Sequence, residues 1–448
     1  MKKEKESKEA ARVTITRKIE LVLHCEDEQL RKDQFKQLLE WKYQVFRAAN
    51  MVINHQHFTY LLRRKIKDTV SENEKQGWKE AKQMVETLYD TSLLNDTYRM
   101  VSEEFPDLPS SIRTCINMQV AQKYNNDLKE VLRGERTIAN YKYGMPIPFA
   151  ISAKDNLERI PTEHGEDIIL KFFKGIKFRL NFGRDKSNNQ VMIDRAIAGE
   201  YKLCNSSIIL EKKQNKYSIY LLAVIQHDRL KTSLDYDKVA ATNLGMNCPI
   251  FLTTSEGHEM PIGSKDEFLR VRLQFQARRR KLQKDLDMAK AGHGRERKLK
   301  ALEHLKKVEA NYANTYNHKL SKKIVMFCYN NGIGTIKTEN LLGGAETLEK
   351  TFVLRNWSYF QLQADLEYKA AMYNIKVIKV APQYITRKCN CCGNIAEEAV
   401  NLQDRTYICV NDACKLFGVK VDIDKNASLN VLDTEESKVE KTELIEVV

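Results

Sequence analysis

The stretch VAATNLGMN, residues 239–247, is a run of small apolar residues that ends abruptly on a polar side chain, Asn243, and then a Leu-Gly pair. Two later stretches repeat that design: IKTENL at 336–341 and DIDKNAS at 422–428. Each sits at or just after an apolar, strand-like run, so Asn243, Glu339 and Asp424 fall where strands end or helices begin. Between them the pattern is α/β. An apolar stretch at 239–253 is followed by two long helical patterns, a strand at 333–338, a helix at about 357–374 and the strand IKVIKV at 375–380. Strands separated by helices predict a sheet with crossover connections.

Carboxylates that converge from separate strands are what phosphodiester hydrolysis by two magnesium ions requires. Each hard cation wants oxygen ligands, and the pair sits about 3.5 to 4 Å apart. Glu339 and Asp424 are suitably placed, but the chain holds 60 acidic residues, and an acid at a strand end is usually only solvated.

The ten cysteines are distributed unevenly. Five crowd into residues 389–414, where Cys389-x2-Cys392 and the wider Cys409-x4-Cys414 offer four thiolates to a tetrahedral zinc. Zinc there is expected to be structural, folding a loop too small to fold alone. Free thiols, or Cys391 standing in for a neighbour in the CNCC run, are the competing readings.

Working toward the N-terminus, residues 168–226 alternate with period two. Ile176, Phe178, Leu180 and Phe182 interleave with Lys177, Arg179 and Asn181, and Tyr217, Ile219 and Leu221 follow. Residues 13–23 alternate as well, as a strand or a hairpin pair. Between these β-rich segments, Phe35, Leu38, Leu39, Val45, Phe46, Ala49, Val52 and Ile53 recur at helical spacing, and helical patterns continue to about Leu132. A small barrel interrupted by a helical insert is the expected arrangement.

Composition sets the partners. The chain has 448 residues, 42% hydrophobic and 30% charged, with a formal net charge of +14, which favours an anionic partner through counterion release from phosphates. Between Arg272 and Lys307, thirteen Lys or Arg face four acids. Arg278, Arg279, Arg280 and Lys281, with Arg295, Arg297 and Lys298 in the hinge AGHGRER(K), are candidate phosphate contacts, as are Arg387 and Lys388 beside the cysteines. A solvated helix face is the alternative. The apolar positions Leu299, Leu302, Leu305, Val308, Tyr312, Tyr316, Leu320 and Ile324 read as a core stripe. No run of 18 apolar residues exists and MKKEKESKEA is followed by no hydrophobic segment, so neither a membrane span nor a signal peptide is expected.

Taken together, TNLGMN, the hinge, NGIGTIKTENL, LRNWSYFQLQADLEYKA (354–370), IKVIKVAPQYITRKCNCCGN (375–394) and DIDKNASLNV resemble the miniature type V-F CRISPR effectors, compact RNA-guided RuvC nucleases related to TnpB proteins. The resemblance is most specific from residue 238 to about 432. It implies a multidomain α+β chain: a β-barrel-like wedge module formed by 1–29 and 136–236, a helical recognition insert at 30–135, a RuvC/RNase H-like domain at 237–384 and 419–434, a zinc-finger insert at 385–418, and an acidic tail at 435–448. It also implies that Glu339 is the second catalytic acid, Asp424 the third, and Cys389, Cys392, Cys409 and Cys414 the zinc ligands. The implied partners are guide RNA and target double-stranded DNA chosen by base pairing. Pairing of two protein copies on one guide belongs to the same implication.

The departure from the family lies at the first acid, where relatives resemble IDLG and this chain has Thr242, Asn243, Leu244 and Gly245. Asparagine has the shape of aspartate without its charge, so magnesium is expected to bind weakly or not at all and cleavage to fail. The expected function is guided DNA binding without cutting, in the cytoplasm of a bacterium or archaeon at the nucleoid. It would act on transcription by occupying a site, opening an R-loop or recruiting a partner such as a sigma factor. An active magnesium-dependent endonuclease, with Asp237 replacing the lost carboxylate, and an unguided zinc-containing transposon accessory protein are the alternatives.

Overall fold

The computed structural model describes residues 12–70, 73–163, 165–183, 187–213, 216–229, 232–244, 249–289, 291–340, 359–381, 384–401 and 404–434. The acidic tail at 435–448, residues 245–247 of TNLGMN and residues 354–358 ahead of the following helix lie outside them. The chain forms two compact units, residues 1–228 and 229–447.

The first unit is built on β1 (Arg12–Leu23), which is a single long strand and not a hairpin pair. Its period-two alternation buries Val13, Ile15, Ile19 and Leu21 on one face. Four helices follow: α1 (Glu28–Val70), α2 (Glu74–Tyr89), α3 (Leu93–Glu104) and α4 (Ser110–Leu132). Leu38, Trp41, Val45, Ala49, Val52 and Ile53 line the buried face of α1 at spacings of three and four. Lys42 is buried among them. Its ammonium donates to the Leu210 carbonyl at 3.1 Å and lies 4.5 Å from the centre of the Tyr143 ring, so the charge is solvated by protein groups in place of water.

The remaining elements of this unit are β2 (Ile147–Phe149), β3 (Leu157–Thr162), β4 (Gly165–Lys171), β5 (Lys177–Asn181), α5 (Ser187–Ile197), β6 (Lys202–Lys213) and β7 (Lys216–Asp228), with short helical turns at Ala153–Asn156 and Phe173–Gly175. The seven strands form one sheet in the order β2-β6-β7-β1-β5-β4-β3 with antiparallel neighbours. β1 pairs with β7 from Arg12↔Asp228 to Leu21↔Ile219, which joins segments about two hundred residues apart. That pairing is set by burial of complementary faces over a long loop, a preference that local sequence does not carry.

The second unit has a five-stranded sheet of β8 (Asp235–Asn243), β9 (Ile250–Thr254), β10 (Glu259–Ile262), β11 (Ile333–Glu339) and β12 (Lys376–Val380), ordered β10-β9-β8-β11-β12. β8, β11 and β12 are parallel, while β9 and β10 run antiparallel. At Gly334 the β11 backbone comes so near β8 that an added Cβ would fall 2.7 Å from the Asp235 carbonyl, so only glycine fits. Helices cover both faces. Tyr316, Leu320 and Ile324 of α7 (His293–Asn330) and Leu362, Leu366 and Ala370 of α8 (Tyr359–Met372) pack with Ala240, Ile250, Leu252 and Ile336. On the opposite face, Ala427 and Val431 of α9 (Ile423–Asp433) pack with Ala241 and Val380.

The expected core stripe on α7 is continuous only in its C-terminal part; toward the N-terminus Leu305 is buried but Leu299 and Val308 are not. Leu299 is 41% and Val308 39% exposed, because the N-terminal half of α7 leaves the sheet and pairs with the preceding helix, α6 (Lys265–Asp287). This two-helix arm is fastened by buried Glu309, which accepts from Arg272 at 2.7 Å and also pairs with Arg279.

Between β12 and α9 lies a small three-stranded sheet of β13 (Val400–Asn401), β14 (Thr406–Ile408) and β15 (Lys420–Asp422). It frames the cysteine cluster. No helix among the described residues is long and apolar enough to cross a membrane.

Candidate acidic site and cysteine knuckle

Strand register brings two of the three polar landmarks together. Thr242 of β8 is paired with Thr338 of β11 in parallel, so Asn243 and Glu339, each one residue further on, stand side by side on the same face at the C-terminal ends of neighbouring strands. Asn243 is buried, at 2% exposure. The third landmark arrives on α9, which packs against β8. Asp422 caps that helix by accepting from the amides of Asp424 at 2.8 Å and Lys425 at 3.0 Å, which leaves Asp424, in the first turn, buried. Of the two aspartates in DIDKNAS, then, one is a helix cap and the other faces the site. At its far end α9 is held by Lys337, whose ammonium donates to the carbonyls of Leu432 at 2.6 Å and Thr434 at 2.9 Å.

The site's electrostatics follow from this crowding. Burial, together with the negative charge of Asp424, pushes the Glu339 carboxyl up to about 7. Asp424 is paired: Arg405 donates from Nη2 to its Oδ1 at 2.9 Å, and both side chains are close to fully enclosed. Asp237 is exposed and sits six residues before Asn243 on the same strand, about 20 Å away at about 3.3 Å per residue. It is at the wrong end of β8 to replace a carboxylate at Asn243.

The cysteine cluster has the dimensions of a metal site. Sγ atoms of Cys389 and Cys414 lie 3.8 Å apart and those of Cys392 and Cys409 3.6 Å apart, and all four fall within 4.8 Å of one another. A tetrahedron with metal–sulfur bonds of about 2.3 Å has sulfur–sulfur edges of about 3.8 Å, so the four thiols can hold a metal such as zinc. Burial pushes the Cys409 thiol up to about 12, which makes a thiolate there costly without a cation at the centre of the cluster. Cys391, the extra cysteine of the CNCC run, is exposed and outside the cluster.

Two asparagines tie this knuckle to the acidic site. Asn426 and Asn430, one turn apart on α9, both donate from Nδ2 to the Lys388 carbonyl, at 2.8 and 2.7 Å, and Asn430 also reaches the Ile385 carbonyl at 2.8 Å. The Asn390 amide donates back to Asn426 Oδ1 at 3.1 Å. The backbone around Cys389 is thus hydrogen-bonded to the helix that carries Asp424. Arg405, Asn426 and Asn430 were absent from the sequence expectations. The i, i+4 spacing of the two asparagines was visible, but nothing marked their partner.

The basic candidates divide by what they touch. Arg279 is engaged with Glu309, and Arg387 pairs with Glu397. Arg295 donates to the carbonyls of Leu286 and Ala289, both at 3.1 Å, and Lys298 to that of Asp285 at 2.7 Å, so these two close the exposed C-terminal turn of α6. Arg278, Arg280, Lys281 and Arg297 are exposed, and Lys388 is half-buried.

Comparison with known proteins agrees with this architecture. Residues 359–431, from α8 through the knuckle to α9, match the family described as Cas12f1-like, TNB domain. The CRISPR-associated endodeoxyribonuclease Cas12f1 of Sulfoacidibacillus thermotolerans is 29% identical over 318 residues, 68% of this chain and 72% of that protein. The protein of the same name from Syntrophomonas palmitatica is 26% identical over 320 residues, 68% of this chain and 64% of the relative. A solved Cas12f1-sgRNA-target DNA complex contains a chain that matches with a TM-score of 0.70 at 18% identity, covering 95% of this chain and 100% of that one. The fold is therefore a mixed α/β multidomain fold of the Cas12f kind, carrying a four-cysteine knuckle able to hold metal. The matched domain, the relatives and the solved complex together support a miniature type V-F CRISPR effector, of a family of RNA-guided, DNA-binding nucleases.

Proposed function

We propose that this protein is a guide-RNA-directed DNA-binding protein whose RuvC-like site no longer cuts. The observation that carries the reading is Asn243, buried beside Glu339 in a family whose members resemble IDLG at this position. In the proposed arrangement Glu339 and Asp424 are the surviving acids of a catalytic triad. The sheet order β10-β9-β8-β11-β12, with a parallel centre and an antiparallel edge, supports assigning 237–384 and 419–434 to a RuvC/RNase H-like domain. The antiparallel sheet of the first unit and the run of helices α1 to α4 between its strands support the wedge module and its recognition insert.

The residues present do not fit a pair of divalent cations. Asn243 contributes no charge, and Asp424 already carries the Arg405 guanidinium, so the donor set falls short of the bridging carboxylates that two adjacent ions need. At the knuckle, zinc held by Cys389, Cys392, Cys409 and Cys414 supplies structure only, fixing the loop against α9.

The function then rests on binding. The +14 charge and the exposed Arg278, Arg280, Lys281 and Arg297 suit phosphate contacts to guide RNA and target DNA, which the solved Cas12f1 complex also contains. Occupying a base-paired target and holding an R-loop open in the cytoplasm, at the nucleoid, gives a route to transcription control. A second copy on the same guide and a sigma-type partner extend that proposal. Sequencing the RNA that copurifies with the protein from its native cells, then measuring binding of DNA matched to that RNA, tests it. Guided, sequence-matched binding supports the reading. Protein free of RNA that still binds DNA points instead to an unguided accessory factor.

A further inference from the structure

We propose that Lys369, His318 and Asp365 form a proton relay across the seam between α7 and α8, in which one proton leaving Lys369 turns the outward nitrogen of His318 from a hydrogen-bond donor into an acceptor. The inference goes beyond guided binding and does not depend on it.

One ring nitrogen has two incompatible neighbours. Nδ1 of His318, on α7, lies 3.2 Å from the Lys369 ammonium and 3.2 Å from Asp365 Oδ2, both carried by α8. It can accept from the first or donate to the second, but not both at once. Asp365 is the buried member, its side chain 3% exposed, and its Oδ1 accepts from Gln361 Nε2 at 3.1 Å. Its Oδ2 receives no hydrogen bond of ordinary geometry among the described residues, so here the ring serves the lysine. Lys369, one turn further along α8, also donates to Ser321 Oγ at 2.6 Å and to the His318 carbonyl at 2.9 Å. Ser321 is buried and gives its own proton to the Asn317 carbonyl at 2.6 Å, so its oxygen meets the lysine only as an acceptor. With Nδ1 turned inward and the His318 side chain 49% exposed, Nε2 is the nitrogen left for solvent.

The electrostatics place the change within reach of neutral pH. Burial pulls the Lys369 ammonium down to about 8; Asp365 opposes the fall and Lys322, on α7, adds to it. Tyr368, whose hydroxyl lies 3.5 Å from Nδ1, is the other titratable neighbour on α8. On β12, Lys379 is taken up by Glu367 at 2.7 Å, and the sheet beneath the two helices presents apolar Ala240 and Ile336. With Lys369 charged, Nδ1 accepts from it and the single ring proton sits on Nε2. Once the lysine has given a proton to solvent, the ring proton is held on Nδ1 and donated to Asp365 Oδ2, and Nε2 is left with a lone pair. The ring keeps one proton in both arrangements and the carboxylate keeps its charge, so the balance is one proton released, from Lys369. The outward nitrogen thus offers a donor to an anionic oxygen below the transition and none above it.

The test follows the His318 tautomer by nitrogen-15 NMR of the full-length chain labelled in its histidines, from about pH 7 to about 9.5, with His318→Gln identifying the resonances. In wild type the ring proton is expected on Nε2 at the lower end and on Nδ1 at the upper end, with a midpoint of about 8. Two variants bracket the change. Lys369→Met removes the ammonium and should hold the proton on Nδ1 throughout, while Lys369→Arg stays charged over this range and should hold it on Nε2. A wild-type ring with the same tautomer at both ends of the range would overturn the inference, and so would a transition that persists unchanged in Lys369→Arg. If Lys369→Met fails to fold, wild type and Lys369→Arg decide between them. None of these readouts involves RNA or DNA, so their failure and the failure of guided binding are separable.

Discussion

Asn243 and Glu339 each stand one residue beyond the Thr242↔Thr338 pair of two parallel strands, so a buried, uncharged amide lies beside a half-buried carboxyl. In a site built to hold cations, that neighbour would be expected to be anionic. The Glu339 carboxyl responds to the neutral, enclosed surroundings and to Asp424 by resisting ionisation. The relationship separates two questions, whether the fold positions the site and whether the site has the charge to use it.

Restoring the charge is the simplest probe of the second question. Asn243→Asp is isosteric and keeps the fold. It is expected to raise magnesium-dependent cleavage of guide-matched DNA from undetectable to readily measurable, a gain of several orders of magnitude, since each 1.4 kcal/mol of barrier is about tenfold in rate. A gel assay on matched and mismatched targets reads it. The same substitution with Glu339→Gln should remain inert.

Glu339 also gives a pH signature. The unfolded chain loses this proton near 4.5 and the folded chain near 7, so the folded state binds more protons in between. Its contribution to stability is therefore fully retained below about 4.5 and declines as pH rises toward 7, by at most about 3 kcal/mol. Denaturant unfolding at a series of pH values should show this decline in wild type and a flatter profile in Glu339→Gln.

Metal removal should act on structure first. A strong chelator, or Cys409→Ser, is expected to release one metal ion per chain by elemental analysis and to lower the unfolding midpoint. Loss of the knuckle frees the Lys388 carbonyl from Asn426 and Asn430, so amide exchange in α9 should accelerate while exchange in β1 and β7 of the other unit stays unchanged.

Neighbouring arginines on α6 should behave differently. Arg279 answers the buried Glu309 together with Arg272, so Arg279→Gln is expected to cost stability, about 1 to 2 kcal/mol, because the carboxylate keeps only one of its two cations. Arg280 is exposed, and Arg280→Gln should leave stability within about 0.5 kcal/mol. Its effect should appear in nucleic-acid affinity, with the slope of log affinity against log salt reduced by about one. Thermal unfolding and salt-dependent binding of the two variants tell these roles apart.

Much of this organisation was legible in the chain because it is written locally. Apolar runs ending at Asn243 and Glu339 mark strand ends, the thiol spacing marks a metal knuckle, and the alternation of Ile176, Phe178 and Leu180 marks a strand. What was not legible is set at long range. The pairing of β1 with β7, the departure of Leu299 and Val308 from the core, and the contact of Arg405 with Asp424 each depend on which segments meet, and no periodicity encodes that. Arginine provides the clearest lesson: a dense basic run offered candidate phosphate contacts or a solvated helix face, whereas Arg279, Arg295 and Lys298 engage Glu309 and the end of α6. Composition counts charges, and only partners reveal which of them remain available.

The most direct measurement is incubation of the purified protein, carrying the RNA it was isolated with, with matched double-stranded DNA in magnesium. The predicted result is a stable, sequence-matched complex in which both DNA strands stay intact. Cleavage of either strand within the matched region, lost on Asp424→Asn, would contradict it.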